Sequence, residues 1–312
     1  MLALASQKHR LTSCALVSTA WHAAAVAATS KISLFGRSPE KLESLLPYLR
    51  KHGRHVSQLS VVSAVGVTAA PISLMQPLPS SCSKLQVLQL HRCHIGLSAV
   101  LNSVPALTRL DMSEGSTLPA LPAGLKPLSQ LTALQHLKCA LRESQARVPF
   151  PAGVLSHLTS LTHLSLPHFK INEESVRGFD RLQNLQEGSF GPAIRMQGSP
   201  FVWPGFSDRL VASEALAAVS GLQQLTFLSL TRSDDVSRTT APGLSTLTAL
   251  RDLSLMDCGR FIPAGFLEHM TNLTRLHLRD SHVVIMQLLQ MGQGQCPTEL
   301  LKQAELLYTS VV

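Results

Sequence analysis

The chain has 312 residues, of which 45% are hydrophobic, only 15% charged and 4% aromatic; this excludes an intrinsically disordered polymer and a core built around large rings. Lys and Arg number 27 against 19 Asp and Glu, a formal charge of +8 that favours acidic partners, but the cations are scattered and no basic run interleaves with aromatics, so nucleic-acid recognition is not expected. No apolar stretch reaches the roughly 18 to 20 residues that span a bilayer, and Cys14, Cys82, Cys93, Cys139, Cys258 and Cys296 form no CxxC pair, which points to free thiols in a reducing compartment.

Residues 11–28 carry Val17, Trp21, Ala24, Ala25 and Ala28 along one helical stripe. Within them Leu11, Cys14, Leu16, Val17, Ser18, Trp21 and Ala24 resemble the C-terminal half of the F-box motif, in which a Leu-Val-Ser or Leu-Val-Cys step precedes a Trp. The resemblance implies that residues 1–30 dock the Skp-type adaptor of a cullin-RING (SCF) ubiquitin ligase through Leu11, Leu16, Val17 and Trp21. The motif's first half, a Leu-Pro step and a Leu-rich helix, has no counterpart before Leu11. The segment is therefore read either as the remnant of an N-terminally truncated F-box or as a helical cap. Lys8, Arg10, Lys31 and Arg37 among many Ala and Ser, with no acid before Glu40, also fit an organellar transit segment as an alternative to a cytoplasmic or nuclear setting.

A connecting helix is expected over 31–55. Ser38 and Pro39 give an N-cap and first-turn signal, Leu42, Leu45, Leu46 and Leu49 keep helical spacing, and Gly53 can end it. Pro47 should kink or shorten this helix.

From residue 56 to 282 a pattern recurs: Leu, two variable residues, Leu, one variable residue, then an apolar residue. Clear copies are Leu85, Leu88, Leu90; Leu161, Leu164, Leu166; Leu225, Leu228, Leu230; Leu250, Leu253, Leu255; and Leu273, Leu276, Leu278. Weaker copies start at Val56, Leu107, Leu134 and Leu182, the last without its third apolar position. From Leu85 to Leu182, and again from Leu225 to Leu273, the starts keep the spacing of roughly 20 to 29 residues that such repeats show. A second element, Pro-Ala-Gly followed by an apolar residue, recurs at Pro122, Pro151 and Pro263 ahead of the next copy. The copies resemble the leucine-rich-repeat family, with Cys93 and Cys258 at its Cys or Asn turn position. The resemblance implies an α/β fold, a curved solenoid with short parallel strands on the concave face and helices or irregular segments on the convex face. An F-box followed directly by repeats is the order of the F-box leucine-rich-repeat family. Residues 186–220 interrupt the pattern, as an insertion or a degenerate repeat, and carry Phe190, Phe201, Trp203 and Phe206 among Gly and Pro. Phe201, Trp203 and Phe206 are candidate contacts if the segment is a loop, or core fillers if it is a degenerate rung. Residues 283–312 form a tail or cap.

Strand residues that do not point inward, the third and fifth of each copy, should line the concave face. The third positions run Val87, Arg109, His136, His163, Asn184, Phe227, Asp252, Arg275, and the fifth run Gln89, Asp111, Lys138, Ser165, Gln186, Ser229, Ser254, His277. Arg109, His136, Lys138 and His163 then form a basic patch, with Arg275 and His277 as further cations, fit for a protein target that is acidic or phosphorylated. Asp111 sits beside the patch and weakens it. No GxSxG, P-loop, HExxH or CxxC motif occurs, and His91, Cys93 and His94 fall at exposed and turn positions, so neither catalysis, metal nor cofactor is expected. The chain is read as a substrate receptor of the ligase, or as a leucine-rich-repeat scaffold without that link.

Overall fold

Eight of the described rungs begin with a tight turn between two buried apolar residues. The amide of Leu85 bonds to the Cys82 carbonyl at 3.0 Å, and the same closure joins Leu107 to Val104, Leu134 to Leu131, Leu161 to Leu158, Leu185 to Leu182, Leu225 to Leu222, Leu250 to Leu247 and Leu273 to Met270. All sixteen residues are at most 2% exposed. Burial of both anchors fixes where the chain enters the strand, and the strand then alternates inward Leu with outward polar residues. The computed structural model describes residues 30–36, 40–63, 73–74, 77–116, 123–141, 148–167, 169, 171, 173–176, 178–190, 218–231, 241–256 and 269–279. They belong to two units, Met1–His136 and Leu137–Val312.

In the first unit β1 (Lys31–Gly36), β2 (Gln58–Ser63), β4 (Val87–His91) and β6 (Arg109–Ser116) pair in that order, all parallel. Their register stacks Ile32, Leu59, Leu88 and Leu110 in one inward row and Leu34, Val61, Leu90 and Met112 in the next. The short strands β3 (Ser73–Leu74) and β5 (His94–Ile95) pair separately. Helix α1 (Glu40–His52) and α2 (Leu97–Leu101) lie on the returning path between strands.

This corrects the expected connecting helix over 31–55. Residues Lys31–Gly36 are a strand, and only Glu40–His52 is helical. The first rung escapes the repeat pattern because the residue three before Ile32 is Thr29, so no leucine announces it. Pro47 does not shorten α1; it is exposed, where water can take the carbonyl it leaves unbonded. Leu45 and Leu49 are buried, and Ser81 Oγ donates to the Leu49 carbonyl at 2.6 Å, tying the helix to the next turn.

Strand β7 (His136–Leu141) starts at the last residue of the first unit. In the second unit β8 (His163–Leu166), β9 (Glu187–Phe190), β10 (Phe227–Thr231), β11 (Asp252–Met256) and β12 (Arg275–Arg279) are parallel neighbours in chain order. The returns are short: α3 (Glu173–Val176), α4 (Ala241–Leu244) and single 3-10 turns. Gly178, at φ +103°, lies where a Cβ would stand 2.7 Å from Ser156 Cα, so the close approach of two returns requires glycine. Hydroxyls latch successive rungs: Thr226 Oγ1 donates to the Gln186 carbonyl at 3.1 Å and Thr274 Oγ1 to the Arg251 carbonyl at 3.0 Å.

The register of β9 corrects the weak copy read from Leu182. His163 pairs with Glu187, Leu164 with Gly188 and Leu166 with Phe190, so this rung starts at Leu185 and Leu182 is the anchor three residues ahead of it. Glu187 and Ser189, not Asn184 and Gln186, hold the third and fifth positions. Strand β9 pairs directly with β10, leaving no place between them for a further rung in the sheet. Phe190 is 2% exposed, a core residue of β9.

Candidate partner-binding surface

Strand alternation places the third and fifth residues of each rung on the open face of the sheet, opposite the leucine rows. In the first unit Arg109 is exposed there. The amides of Gln135 and His136 both bond to the Thr108 carbonyl, repeating the pattern that Thr108 and Arg109 make on Gln86, so half-buried His136 comes beside Arg109. Asp111, two residues along β6 from Arg109, is 7% exposed. Beyond it buried Ser113 bonds to His91, Oγ to Nδ1 at 2.7 Å.

In the second unit Lys138 is exposed, while His163 is held from both sides: Thr162 Oγ1 lies 2.8 Å from its Nδ1 and Glu187 Oε1 lies 3.3 Å from its Nε2. Arg275 and His277 converge on one carboxylate. Arg275 Nε is 2.9 Å from Asp252 Oδ2 and His277 Nε2 is 3.9 Å from Oδ1, with Asp252 buried and both basic side chains exposed. The fifth positions Ser165, Ser189, Ser229 and Ser254 stand in register, a floor of small hydroxyls beside the charged row. The six predicted cations are thus not equivalent: three face acids of the same unit, and the surface carries both signs.

Glu187 escapes the sequence pattern because the copy read from Leu182 is framed three residues early. The apolar anchor does not decide the frame, because Phe179 precedes Leu182 as Leu182 precedes Leu185. The signal that finds it is the last inward position, apolar Phe190 in the frame from Leu185 but charged Glu187 in the frame from Leu182. Phe201, Trp203 and Phe206, and the adaptor-docking residues Leu11, Leu16, Val17 and Trp21, lie outside the described residues. Cys82, Cys93 and Cys139 are buried thiols that form no disulfide. Cys93 Sγ donates to the His91 carbonyl at 3.3 Å and the Val61 carbonyl at 3.6 Å, and burial pushes its thiol up to about 11.

Parallel rungs of this geometry recur in a solved internalin from Listeria monocytogenes, which matches 73% of this chain with a TM-score of 0.52. The fold is a leucine-rich-repeat solenoid. Identity to the internalin is 17% and the match spans 56% of that protein, so the likeness speaks for the fold alone. No protein-family model and no curated protein matches the chain. Among the described residues no helix is long and apolar enough to cross a membrane. What the solenoid supplies is a row of outward side chains at fixed spacing, roughly 4.8 Å from rung to rung, and such a ladder is suited to gripping another protein.

Proposed function

We propose that the chain is a protein-binding subunit that brings a target to a cullin-RING ubiquitin ligase, the repeats holding the target and residues 1–30 docking the Skp-type adaptor. The observation that carries the binding part is the open sheet face, where polar and charged side chains stand in register with a packed leucine core behind them. The ligase part rests on the likeness of Leu11, Leu16, Val17 and Trp21 to the second half of an F-box. Exposed Arg109 and Lys138 support a target segment that bears carboxylates or phosphates, with Phe201, Trp203 and Phe206 as a second set of contacts. Such a subunit works in the cytoplasm or nucleus.

Co-purification of a Skp-type adaptor with the full chain tests the ligase part. Adaptor should be recovered with the parent and lost with Leu16→Asp and Trp21→Ala; absence from the parent removes the ligase and leaves a scaffold with the same binding face.

A further inference from the structure

Asp111 is a carboxylate buried on the open sheet face without a partner among the described residues. It is 7% exposed, its Oδ1 is shielded from solvent with no hydrogen bond, and among the described residues it takes part in no ion pair. Strand alternation turns it away from the core, because Leu110 and Met112 on either side of it are the inward residues, both 0% exposed. Its neighbours on that face do not serve it. Gln89 stands in register on β4, Ser113 is engaged with His91, and Arg109 projects into solvent.

Removing a carboxylate from water without supplying a donor is strongly unfavourable. A buried acid at an outward position of the second unit shows how the cost is met: Asp252 takes a guanidinium at 2.9 Å from the next rung. Asp111 receives nothing equivalent from the described residues of its own unit. An unsatisfied acceptor at a position where every neighbouring rung offers a side chain to the outside has the character of half a contact.

We propose that Asp111 anchors an Arg or Lys side chain of a protein partner seated on the first unit's sheet face. The recognised segment then carries a base for Asp111 and an acid for Arg109, the two sites lying about 7 Å apart along one strand. This rests on the protein-binding reading above and not on its ubiquitin-ligase part. A charge pair formed at a site already shielded from water is stronger than one at the rim, and it selects by sign pattern where a net charge of +8 selects only for anions.

The experiment compares two fluorescent octapeptides on the full-length protein by anisotropy. One, of alternating charge, is made of Glu-Ser-Lys-Ser repeats, which puts opposite signs two residues apart on one side of an extended chain, and the other is all-Glu at those four charged positions. The alternating peptide is expected to bind about tenfold tighter although net charge favours the other, and Asp111→Asn should abolish that preference. Equal or stronger binding of the all-Glu peptide by the parent, no binding of either, or an undiminished preference in D111N overturns the assignment. Stability gives an independent measurement. D111N removes a charge that no bond among the described residues offsets, so its Tm should rise; a fall would reveal a structural partner and also overturn it. Loss of the adaptor in the co-purification above would touch only the ligase reading.

Discussion

Putting the consensus leucine back into the irregular rung should weaken the protein. In β9 the second inward leucine is replaced by Gly188 and the third by Phe190. A Cβ at Gly188 would stand 3.0 Å from Phe190 Cε2 and 3.7 Å from Leu225 Cδ1, so the phenyl ring occupies the space that the missing side chain leaves. Gly188→Leu gains about 0.5–1 kcal/mol by removing a strand glycine. It also overpacks the layer, at a cost of about 1–3 kcal/mol that outweighs the gain, so the net effect is destabilising. Phe190→Leu alone leaves a void beside Phe179, whose ring centroid is 5.7 Å away, and should cost about 1–3 kcal/mol. The double substitution rebuilds the pattern of the neighbouring rung at Leu164 and Leu166, and should recover part of both losses through a coupling of about 1–3 kcal/mol. Urea unfolding followed by circular dichroism measures all four proteins; thermal scans should move by about 2–4 °C per kcal/mol. If Gly188→Leu is as stable as the parent, or the two single effects simply add, the ring does not fill the glycine's space.

Arg275→Ala strips Asp252 of its 2.9 Å guanidinium contact and leaves a buried carboxylate, which should cost about 1–2 kcal/mol by urea unfolding; no loss would mean that His277 alone suffices. Gly178→Ala meets both a φ of +103° and the Ser156 backbone, and a loss of less than about 1 kcal/mol would contradict the close approach of those returns. Cys93 is raised from 9.0 to about 11 by burial, so between those values the unfolded chain ionises while the folded one stays protonated. Its contribution is whole below about pH 9.0 and is lost toward 11, about 2–3 kcal/mol at the upper end. Urea midpoints from pH 8 to 11 should therefore fall less steeply in Cys93→Ala than in the parent, and parallel slopes would count against it.

How far the sequence can be read depends on how many apolar positions mark each rung. Where all three leucines are present, as at Leu225, Leu228 and Leu230, strand, inward face and register follow directly. At β1 the leading leucine is absent and two inward residues, Ile32 and Leu34, are too few to announce a strand beside a helix-like run. At β9 the leucine pair Leu182 and Leu185 mimics the start of a copy, because the turn anchor and the first rung position share the spacing of the first and second. The candidate surface inherits that error. Arg109, Lys138, Arg275 and His277 stand on exposed outward positions, as their places in the copies imply, but which acids face them depends on the rung next door, and one misframed rung hides Glu187.

The corrected register changes what kind of selectivity this surface can exert. With Asn184 in the third position of β9, the rung beside His163 would present a neutral amide. With Glu187 there, His163 faces a carboxylate at 3.3 Å in the second unit, Asp252 does the same for Arg275, and Asp111 places a buried acid beside Arg109 in the first. Like charges brought together at a carboxylate oppose the steering that net charge provides. Net charge sets the rate of encounter with anions, and on the reading proposed above the alternation of sign on each unit's face selects which encounters last.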